Sequence, residues 1–295
     1  MHAMNGLETL PPQRNGRRLP RHASRIAESI EREAWRDIVH AGIGAAPQLD
    51  LEAQGLGHAL ILRSRRLDSL LFNRVIGFGH SGVVTDHEIE AILRGYRDRG
   101  VDRYWIHVDE CRSGDLPDRL DAHGLECHAR RWTKFMRDVE PYDARPSPLG
   151  LRPATAADAA AVAEIVAPAF DMPAGGGIPF AALIGRFGWH VFVATDRDRI
   201  AAVAGLYVSG HVGYHAFAAT RPDLRNQGAQ SGLIAARIQT ARKLGCKWLV
   251  TETGAPRAAD EANPSYQNIE RSGFAPVGRR LNFGLPGTTW TAAGS

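Results

Sequence analysis

The most regular pattern of apolar and polar positions covers residues 211–254. Continuous apolar runs at 212–220 and 248–251 predict two buried strands. Between them, apolar residues recur at helical spacing after Gly228. Gly245 marks the end of this helix, and basic residues occupy its last turn. The stretch therefore predicts a strand, a glycine-containing loop, a helix and a second strand.

The rest of the chain shows weaker periods of the same two kinds. Helical spacing predicts helices at residues 24–40, 86–99, 116–123 and 156–170, and apolar runs predict strands at residues 57–63, 70–78, 104–108, 190–195 and 201–209. Residues 127–139 are expected to form a strand or a bent hairpin. Ser24, Thr85 and Thr155 are expected to cap the helices that follow them.

The length of 295 residues is typical of a chain with about two domains. The proline-rich stretch EPYDARPSPLG contains the expected linker, at residues 141–150, between domains at 23–140 and 151–295. Residues 1–22 are rich in proline and arginine and have no apolar period, so we expect a mobile basic tail there.

Composition excludes several classes of protein. Hydrophobic residues make up 44% of the chain and charged residues 23%, as in ordinary soluble proteins. No apolar run approaches the roughly 20 residues of a membrane-spanning helix. The start of the chain does not resemble a secretory signal. The scattered cysteines Cys111, Cys127 and Cys246 indicate reduced thiols in a bacterial-type cytoplasm, and they predict no structural metal site.

The net charge of +4 and the pI of about 9.2 could indicate a nucleic-acid partner. No basic helix with interleaved aromatic residues accompanies this charge, so we expect no nucleic-acid binding. We expect the excess to complement an anionic cofactor and to solvate the surface. A nucleotide-binding enzyme would need a lysine at its phosphate site, and no lysine lies between Lys134 and Lys243.

The predicted loop before the helix at Gly228 has a chemical use. The first turn of a helix carries backbone N–H groups without internal partners, and the helix dipole adds positive charge. A glycine in the entering loop lets a phosphate approach the backbone, so a diphosphate fits such a site. The spacing matches neither the dinucleotide-binding fingerprint nor the P-loop. The alternative is an ordinary crossover whose glycines only serve packing.

Two motifs in this half resemble the GNAT superfamily of N-acetyltransferases. Arg225-x-x-Gly228-x-Gln230 is similar to the family's pyrophosphate loop, [Gln/Arg]-x-x-Gly-x-[Gly/Ala], and departs from it only at Gln230. The stretch at 263–274 resembles the helix after the fifth strand, which ends in Gly-Phe. The resemblance covers roughly residues 151–285. It implies an α/β (α+β) fold in which each half is a mixed, mostly antiparallel twisted sheet flanked by helices.

The first half repeats the same order of strands and helices, which indicates a second, degenerate copy of the domain. Its corresponding loop, GHSGVVTDHE at 79–88, lacks the arginine–glycine motif. Asp86 and Glu88 at the helix start would repel a diphosphate. We therefore expect this half to keep the fold without a cofactor loop. The alternative is an unrelated α+β domain.

The resemblance implies acetyl-CoA, or another acyl-CoA, as cosubstrate in a gap between the central strand and the next. The pantetheine arm would pair with the backbone of the central strand, and the diphosphate would rest on the loop and the helix start. The predicted binding residues are Ala218, Ala219, Thr220, Arg225, Asn226, Gln227, Gly228, Ala229, Gln230, Ser231 and Asn268.

The catalytic groups follow less directly from the resemblance. Many members carry a tyrosine four residues before the Gly-Phe as the acid for the leaving thiolate, and this chain has Ile269 there. Tyr214 lies where some members place a general-base glutamate. His215 follows it on the opposite face of the strand, so at most one of the two points to the acceptor. Glu252 is the carboxylate candidate for the catalytic base. The alternative interpretation of Glu252 is a solvated charge at the end of a strand, and that of His215 is a histidine packed in the strand without a catalytic role.

The sequence thus predicts an N-acyltransferase that moves an acetyl group to a primary amine by direct attack in a ternary complex. The acceptor would be a small molecule or a peptide, held between the two halves. A non-catalytic acyl-CoA-binding regulatory module is the alternative. The expected assembly is a monomer or a homodimer, without a membrane partner.

Overall fold

A computed structural model of the chain describes residues 18–256, Glu261 and residues 263–289. Its described strands form one mixed sheet in the order β1-β2-β3-β4-β12-β6-β11-β10-β9-β8-β7, with β5 paired to β12. The strands are β1 (Leu51–Leu56), β2 (Ala59–Ser64), β3 (Arg74–Phe78), β4 (Trp105–Asp109), β5 (Glu126–Cys127), β6 (Trp132–Asp138), β7 (Gly150–Pro153), β8 (Trp189–Asp196), β9 (Arg199–Ser209), β10 (Val212–Thr220), β11 (Trp248–Gly254) and β12 (Ala275–Gly284).

Seven α-helices of the described chain flank this sheet. They are α1 (Ala23–Ala45), α2 (Asp86–Asp98), α3 (Leu116–Ala122), α4 (Ala159–Ala169), α5 (Ile178–Ala181), α6 (Ala229–Lys243) and α7 (Pro264–Arg271). Two neighbouring strand pairs run parallel, β3–β4 and β10–β11, and the helices α2 and α6 connect them. The other strand pairs described are antiparallel. The predicted mixed, mostly antiparallel sheet flanked by helices is confirmed.

The sheets of the two halves are joined by an exchange of strands. β6, the last long strand before the linker, pairs with β11 of the second half, and Glu252 lies opposite Lys134 there. β12, the last strand of the second half, pairs with β4 of the first half, and Leu281 lies opposite Val108. The two exchanged strands also pair with each other. The proposed linker at 141–150 therefore divides the sequence but not the sheet.

Helix caps account for two of the predicted helix starts. Thr85 and Glu88 form a reciprocal capping box at the start of α2, in which the Thr85 hydroxyl accepts from the Glu88 N–H. Thr155 and Asp158 form the same arrangement at the start of a 3-10 turn, and this turn leads directly into α4. The predicted Ser24 cap of α1 is wrong, because the Ser24 hydroxyl donates instead to Asp109 Oδ2 on β4, at 3.2 Å.

Two predicted strands differ from those observed. The strand expected at 70–78 begins only at Arg74, because the N–H groups of Phe72 and Asn73 both donate to the Ser69 carbonyl and close a turn. The stretch expected at 127–139 divides into β5 and β6. The basic tail predicted at 1–22 lies largely outside the described residues.

Three apolar clusters fill the space between the sheet and its helices. The largest lies under α1, α4 and α5, and Trp35, Phe72 and Phe180 meet edge to face within it. A second cluster lies under α6 and α7, and a third packs α2 and α3 against the first half of the sheet. In the part of the chain that the structure describes, no helix is both long and apolar enough to span a membrane.

A buried cluster of six charged side chains lies where α1 crosses the exchanged strands. We call it the ion cluster, and its members are Glu28 and Glu31 of α1, Arg74 of β3, Lys134 of β6, Glu252 of β11 and Arg280 of β12. Each of these side chains is at most 8% exposed. Three carboxylates balance three cations, so the group carries no net charge when all are ionised.

Arg280 is the central cation of the ion cluster. Its guanidinium nitrogens lie 3.0 Å from both Glu28 and Glu31, and 2.9 Å from Glu252. These carboxylates hold the pKa of Arg280 well above its ordinary value although burial acts against the charge. Burial alone would raise the pKa of Glu31, but the nearby cations Arg280, Lys134 and Arg74 together keep it well below its ordinary range.

We expect Arg280→Ala to lower the free energy of unfolding by about 3–5 kcal/mol, because removing one partner leaves buried carboxylates uncompensated. The matched control is Arg279→Ala on the same strand, where the side chain is 54% exposed and lies 3.5 Å from Glu110. An exposed pair of this kind contributes less than about 1 kcal/mol. Urea unfolding of both variants measures the difference. Equal, small losses would show that the ion cluster does not hold the strands together.

Candidate functional site

Strands β10 and β11 separate near the middle of the sheet. Their parallel pairing runs from Val212–Trp248 to His215–Thr251, although β10 continues to Thr220. On its other side β10 stays paired with β9, with a register shift at Ala216. A bulge of this kind bends a strand locally. The result is a wedge-shaped gap between the ends of β10 and β11, at the place predicted for the pantetheine arm.

The bulge depends on a close contact with β9. A Cβ atom on Gly205 would lie 2.2 Å from the Phe217 ring, so a side chain at this position would exclude the ring. Phe217 instead packs edge to face on Phe180 of α5. The glycine on β9 therefore permits the bend that opens the gap.

The end of β10 leads into the start of α6 through a tight turn. Gly228 precedes the first residue of α6 and has a φ of +82°, and Asn226 has a φ of +65°. No side chain caps this helix, and its first turn contains no acidic residue. A helix start of this kind has the backbone N–H groups that an anion site needs, and anion binding at this turn stays a prediction.

The equivalent helix start in the first half is chemically different. The α2 N-terminus is capped by its own Thr85 and Glu88 side chains, and Asp86 binds Arg119 with an N–O distance of 2.6 Å. Hydrogen bonds from Thr85 lower the pKa of Glu88, so this carboxylate stays charged. The side chains of Thr85, Asp86 and Glu88 thus lie at the helix start, where an anion would otherwise bind. The observation supports the interpretation of a lost cofactor loop, which stays a prediction.

The structure brings most of the predicted cosubstrate residues together. Gln230, the residue that departs from the family pattern, reaches back to β10 and donates to Thr220 Oγ1 at 3.2 Å. Ala218 and Ala219 face opposite sides of the sheet, and both side chains at this end of the strand are small. Arg225 and Asn226 are exposed on the loop. Asn268 lies half-buried on α7.

The linker lies directly on the predicted diphosphate loop. The Ser147 hydroxyl donates to the Gln227 carbonyl at 2.6 Å. The Ser231 hydroxyl accepts from the Arg145 N–H at 2.9 Å and lies 3.0 Å from the Tyr142 hydroxyl. A Cβ atom on Gly228 would lie 3.1 Å from the Pro146 carbonyl and from Ser147 Cβ. The linker therefore covers the turn at Gln227 and Gly228, and the Ser231 hydroxyl already has partners.

Tyr214 and His215 occupy opposite faces of β10, as strand geometry requires. Tyr214 is packed in the cluster under α1, and His215 faces α7, with its ring 5.4 Å from that of Phe274. Among the residues that the structure describes, neither the Tyr214 hydroxyl nor His215 Nε2 has a hydrogen-bond partner. Two buried polar atoms without partners, on adjacent residues beside the gap, are the sort of feature that substrate groups or ordered water satisfy.

The electrostatic surroundings of these two side chains differ. Burial, and next to it the charges of Arg237 and Arg137, hold the pKa of His215 well below its ordinary value, so the ring is neutral at neutral pH. Burial and the carboxylates of Glu252 and Glu31 raise the pKa of Tyr214 well above its ordinary value. Tyr214 is therefore a hydrogen-bond donor over the whole physiological range.

Glu252 is a member of the ion cluster and shares the sheet face of Tyr214. Its side chain is 7% exposed, and it accepts from Arg280 at 2.9 Å. The alternative of a solvated charge at the strand end is therefore wrong. Burial, and then repulsion by Glu31, raise the pKa of Glu252 to about 7. A carboxyl group that titrates near neutral pH can act as a general acid or base.

An apolar side chain occupies the place of the missing tyrosine on α7. Ile269 is buried in the cluster under α6 and α7, together with Phe274. Tyr266, one turn earlier, packs edge to face on Phe135, and burial raises its pKa. Among the residues that the structure describes, no group of three or more His, Cys, Asp or Glu side chains could hold a metal ion.

Sequence reasoning missed several residues that shape this site. Arg237 on α6 is buried beside His215, and burial lowers its pKa to about 9. Its Nε donates to the Leu233 carbonyl at 3.1 Å. Tyr142 and Ser147 of the linker cover the loop, although the proline-rich composition indicated only a spacer. One signal was available for Arg237, because an arginine in the apolar stripe of α6 breaks the helical pattern.

Comparison with known proteins addresses the second half most directly. A protein-family model described as "Acetyltransferase (GNAT) domain" matches residues 180–256, from α5 to just beyond the end of β11. This range includes the whole gap, the loop and α6. No curated protein matches the chain by sequence.

Solved structures resemble the chain over most of its length. A GCN5-related N-acetyltransferase from Kribbella flavida is 17% identical, with 89% of this chain and 96% of that chain covered and a TM-score of 0.61. One from Sphaerobacter thermophilus is 15% identical, with coverage of 87% and 92% and a TM-score of 0.57. A tandem GNAT protein from the clavulanic acid biosynthesis pathway is 13% identical, with coverage of 89% and 95% and a TM-score of 0.54. At these identities the likeness concerns the fold.

The pKa of Glu252 leads to a prediction about stability. Because this pKa is raised in the folded state, the folded protein binds the proton more tightly than the unfolded chain does. Stability from this group is therefore present below the unfolded value of 4.5 and is lost as pH rises through about 7. The loss amounts to a few kcal/mol, since each pKa unit is about 1.4 kcal/mol.

We expect the free energy of unfolding of wild type to fall, relative to Glu252→Gln, between about pH 5 and pH 8. Glu28 and Glu31 have lowered pKa values and titrate below this window, so they do not mask the effect. Urea unfolding at several pH values measures the difference between the two proteins. A difference that stays constant with pH would place the pKa of Glu252 near its ordinary value.

Proposed function

We propose that this chain, which carries a GNAT acetyltransferase domain, is an N-acyltransferase that moves an acetyl group from acetyl-CoA to a primary amine. The acceptor is a small molecule or a peptide. One observation carries the proposal: β10 separates from β11 after the His215–Thr251 pair, and its free end leads into a helix start that has neither a side-chain cap nor an acidic residue. A strand-like arm that ends in a diphosphate fits this combination.

Acetyl-CoA supplies an acyl group activated as a thioester. The backbone of 218–220 would pair with its pantetheine arm like an added strand, and the N–H groups of 227–231 would bind the diphosphate. Arg225, exposed on the loop, adds positive charge beside them. Asn268 on α7 would contact the same arm.

The candidate catalytic groups have defined proton states. Glu252, with a pKa of about 7, can accept the proton of the amine near neutral pH. Tyr214 stays protonated and can donate to the leaving thiolate, since its pKa is raised well above the ordinary value. His215 is neutral and so can accept a proton, although Arg237 and Arg137 oppose the charge that results.

A second candidate function is a non-catalytic acyl-CoA-binding regulatory module. The observations that favour it are the burial of all three candidate side chains and the engagement of Glu252 with Arg280. Ile269 in place of the usual tyrosine points the same way. In this function the cosubstrate binds without being consumed.

Release of free thiol from acetyl-CoA, measured with a panel of primary amines, distinguishes the two functions. Calorimetry on the same preparation measures binding. Amine-dependent thiol release supports the acyltransferase. Binding without thiol release supports the regulatory module. No binding of acetyl-CoA at all would contradict both functions.

We expect Gly228→Glu to abolish acetyl-CoA binding. A side chain at this φ of +82° is strained, and its charge opposes the diphosphate. The loss of one charge-assisted contact alone costs roughly 1.5–3 kcal/mol. Gln239→Glu, with the same added charge on the exposed face of α6, is the control and keeps wild-type affinity. Circular dichroism checks the fold. A folded Gly228→Glu protein that binds normally would place the site elsewhere.

We expect Ser147→Ala to bind acetyl-CoA more tightly, by about two- to tenfold. The Ser147 hydroxyl holds the linker on the loop through the Gln227 carbonyl, and one hydrogen bond is worth about 0.5–1.5 kcal/mol. Ser113→Ala, in the loop before α3, leaves the affinity unchanged. Calorimetry gives the three dissociation constants. Unchanged or weaker binding by Ser147→Ala would show that the linker does not compete with the diphosphate.

The pH dependence of kcat/KM identifies the base. If Glu252 accepts the proton, the rate rises with pH through about 7, and Glu252→Gln removes this inflection and about 10²–10⁴ of the rate. If His215 accepts it, the rise lies well below pH 6.5, because the pKa of His215 is lowered. Tyr214→Phe tests the acid role on the opposite limb. An inflection that follows each amine's own pKa would leave all three residues without a role in proton transfer.

A further inference from the structure

A cavity lies in the first half of the chain, between α1 and the end of β3. Its volume is about 220 Å³, and its lining residues are Arg25, Glu28, Ser29, Arg32, His58, Gly77, His80 and Ser81. The four lining residues from α1 follow the spacing i, i+3, i+4 and i+7, so they form one face of that helix. None of the groups assigned to acyl transfer lines this cavity.

The floor of the cavity contains an oriented histidine. The His80 side chain is 4% exposed, and its Nδ1 lies 3.4 Å from Asp109 Oδ2. Asp109 is itself fixed by the Ser24 hydroxyl at 3.2 Å and by the Cys111 N–H at 2.9 Å. We assign the ring proton to Nδ1, the ring nitrogen nearer to this carboxylate. Nε2 is then an acceptor, and within the described part of the chain neither ring nitrogen makes a hydrogen bond.

The rest of the cavity carries excess positive charge. Arg25 and Arg32 contribute two guanidinium groups, and Arg25 is exposed. Arg32 donates through Nη1 to the His58 carbonyl, while its Nε is buried without a partner. The one carboxylate of the lining, Glu28, is neutralised by Arg280 and Lys134 of the ion cluster. Arginine side chains in this setting bind carboxylates well.

The size of the cavity limits its ligand. A water molecule occupies about 30 Å³ of liquid volume, so 220 Å³ corresponds to about seven of them or to a short-chain molecule. Gly77, with a φ of +81°, keeps the backbone of β3 open at this point. A Cβ atom there would lie 3.0 Å from the His58 carbonyl and 3.6 Å from Glu28 Oε1.

We propose that this cavity binds a small hydroxy or amino acid. The carboxylate of the ligand pairs with Arg25 and Arg32, and its hydroxyl or amino group donates to His80 Nε2. The ligand thereby provides partners for two of the three buried lining nitrogens that make no hydrogen bond to the described residues, Arg32 Nε and His80 Nε2, which removes a cost of burial.

Three matched probes test this proposal on the full chain: lactate, lactamide and propionate. Lactate has both the carboxylate and the donor, lactamide lacks the charge, and propionate lacks the donor. Calorimetry or ligand-observed NMR should show lactate binding in the millimolar range. Lactamide should bind at least about tenfold more weakly, since charge-assisted hydrogen bonds are worth about 1.5–3 kcal/mol. Propionate should bind severalfold more weakly than lactate.

Two variants locate the binding. Arg25→Ala should weaken lactate binding, while Arg36→Ala, an exposed arginine on the same helix outside the cavity, leaves it unchanged. His80→Phe should remove the preference for lactate over propionate. Arg25 is exposed, so its variant keeps the test valid even if His80→Phe does not fold. The proposal is overturned if lactate fails to bind at tens of millimolar, if lactamide binds equally, or if Arg25→Ala has no effect.

Discussion

The structure depends on charge balance at the point where the exchanged strands meet. Lys134 on β6 and Arg280 on β12 bring two cations to the carboxylates Glu28 and Glu31 of α1. If either strand were absent from its place, buried carboxylates would remain without partners, at a cost of several kcal/mol. An apolar core would accept either strand in either position, because it is not directional. The charges of the ion cluster therefore match the observed arrangement of strands, in which backbone pairing joins the halves into one sheet.

The sequence predicted those parts of the fold that local patterns determine. The order strand, loop, helix, strand over 211–254 follows from apolar periods and from Gly228 and Gly245, and the structure has it. The strand exchange could not be predicted in this way. β6 and β12 are separated by more than a hundred residues and have similar patterns, and their places depend on which charges meet. The Ser24 cap failed for the same reason, since a tertiary partner, Asp109, takes its hydroxyl.

The same distinction between local patterns and distant contacts applies to the candidate site. The loop motif predicted the free helix start at Gly228, because the backbone geometry is local, and strand alternation placed Tyr214 and His215 on opposite faces. The burial of Glu252 was missed, because an acid near the end of a strand is usually solvated unless cations from distant elements surround it. The contacts of the linker were missed too. A proline-rich segment indicates an extended chain but not the surface on which that chain lies.

The two candidate bases, His215 and Glu252, differ in the electrostatic effect of taking up a proton. A proton on His215 adds charge next to Arg237 and Arg137 in a desolvated position, so the ring does not hold it at neutral pH. A proton on Glu252 relieves its repulsion with Glu31 but leaves the ion cluster with one uncompensated cation. Burial and the repulsion by Glu31 outweigh the attraction of Arg280, Arg74 and Lys134, so the pKa of Glu252 lies at about 7. Of the two, Glu252 can both take and release a proton near neutral pH. Chemistry at this residue would therefore alter the charge balance that holds β6 and β12 in place.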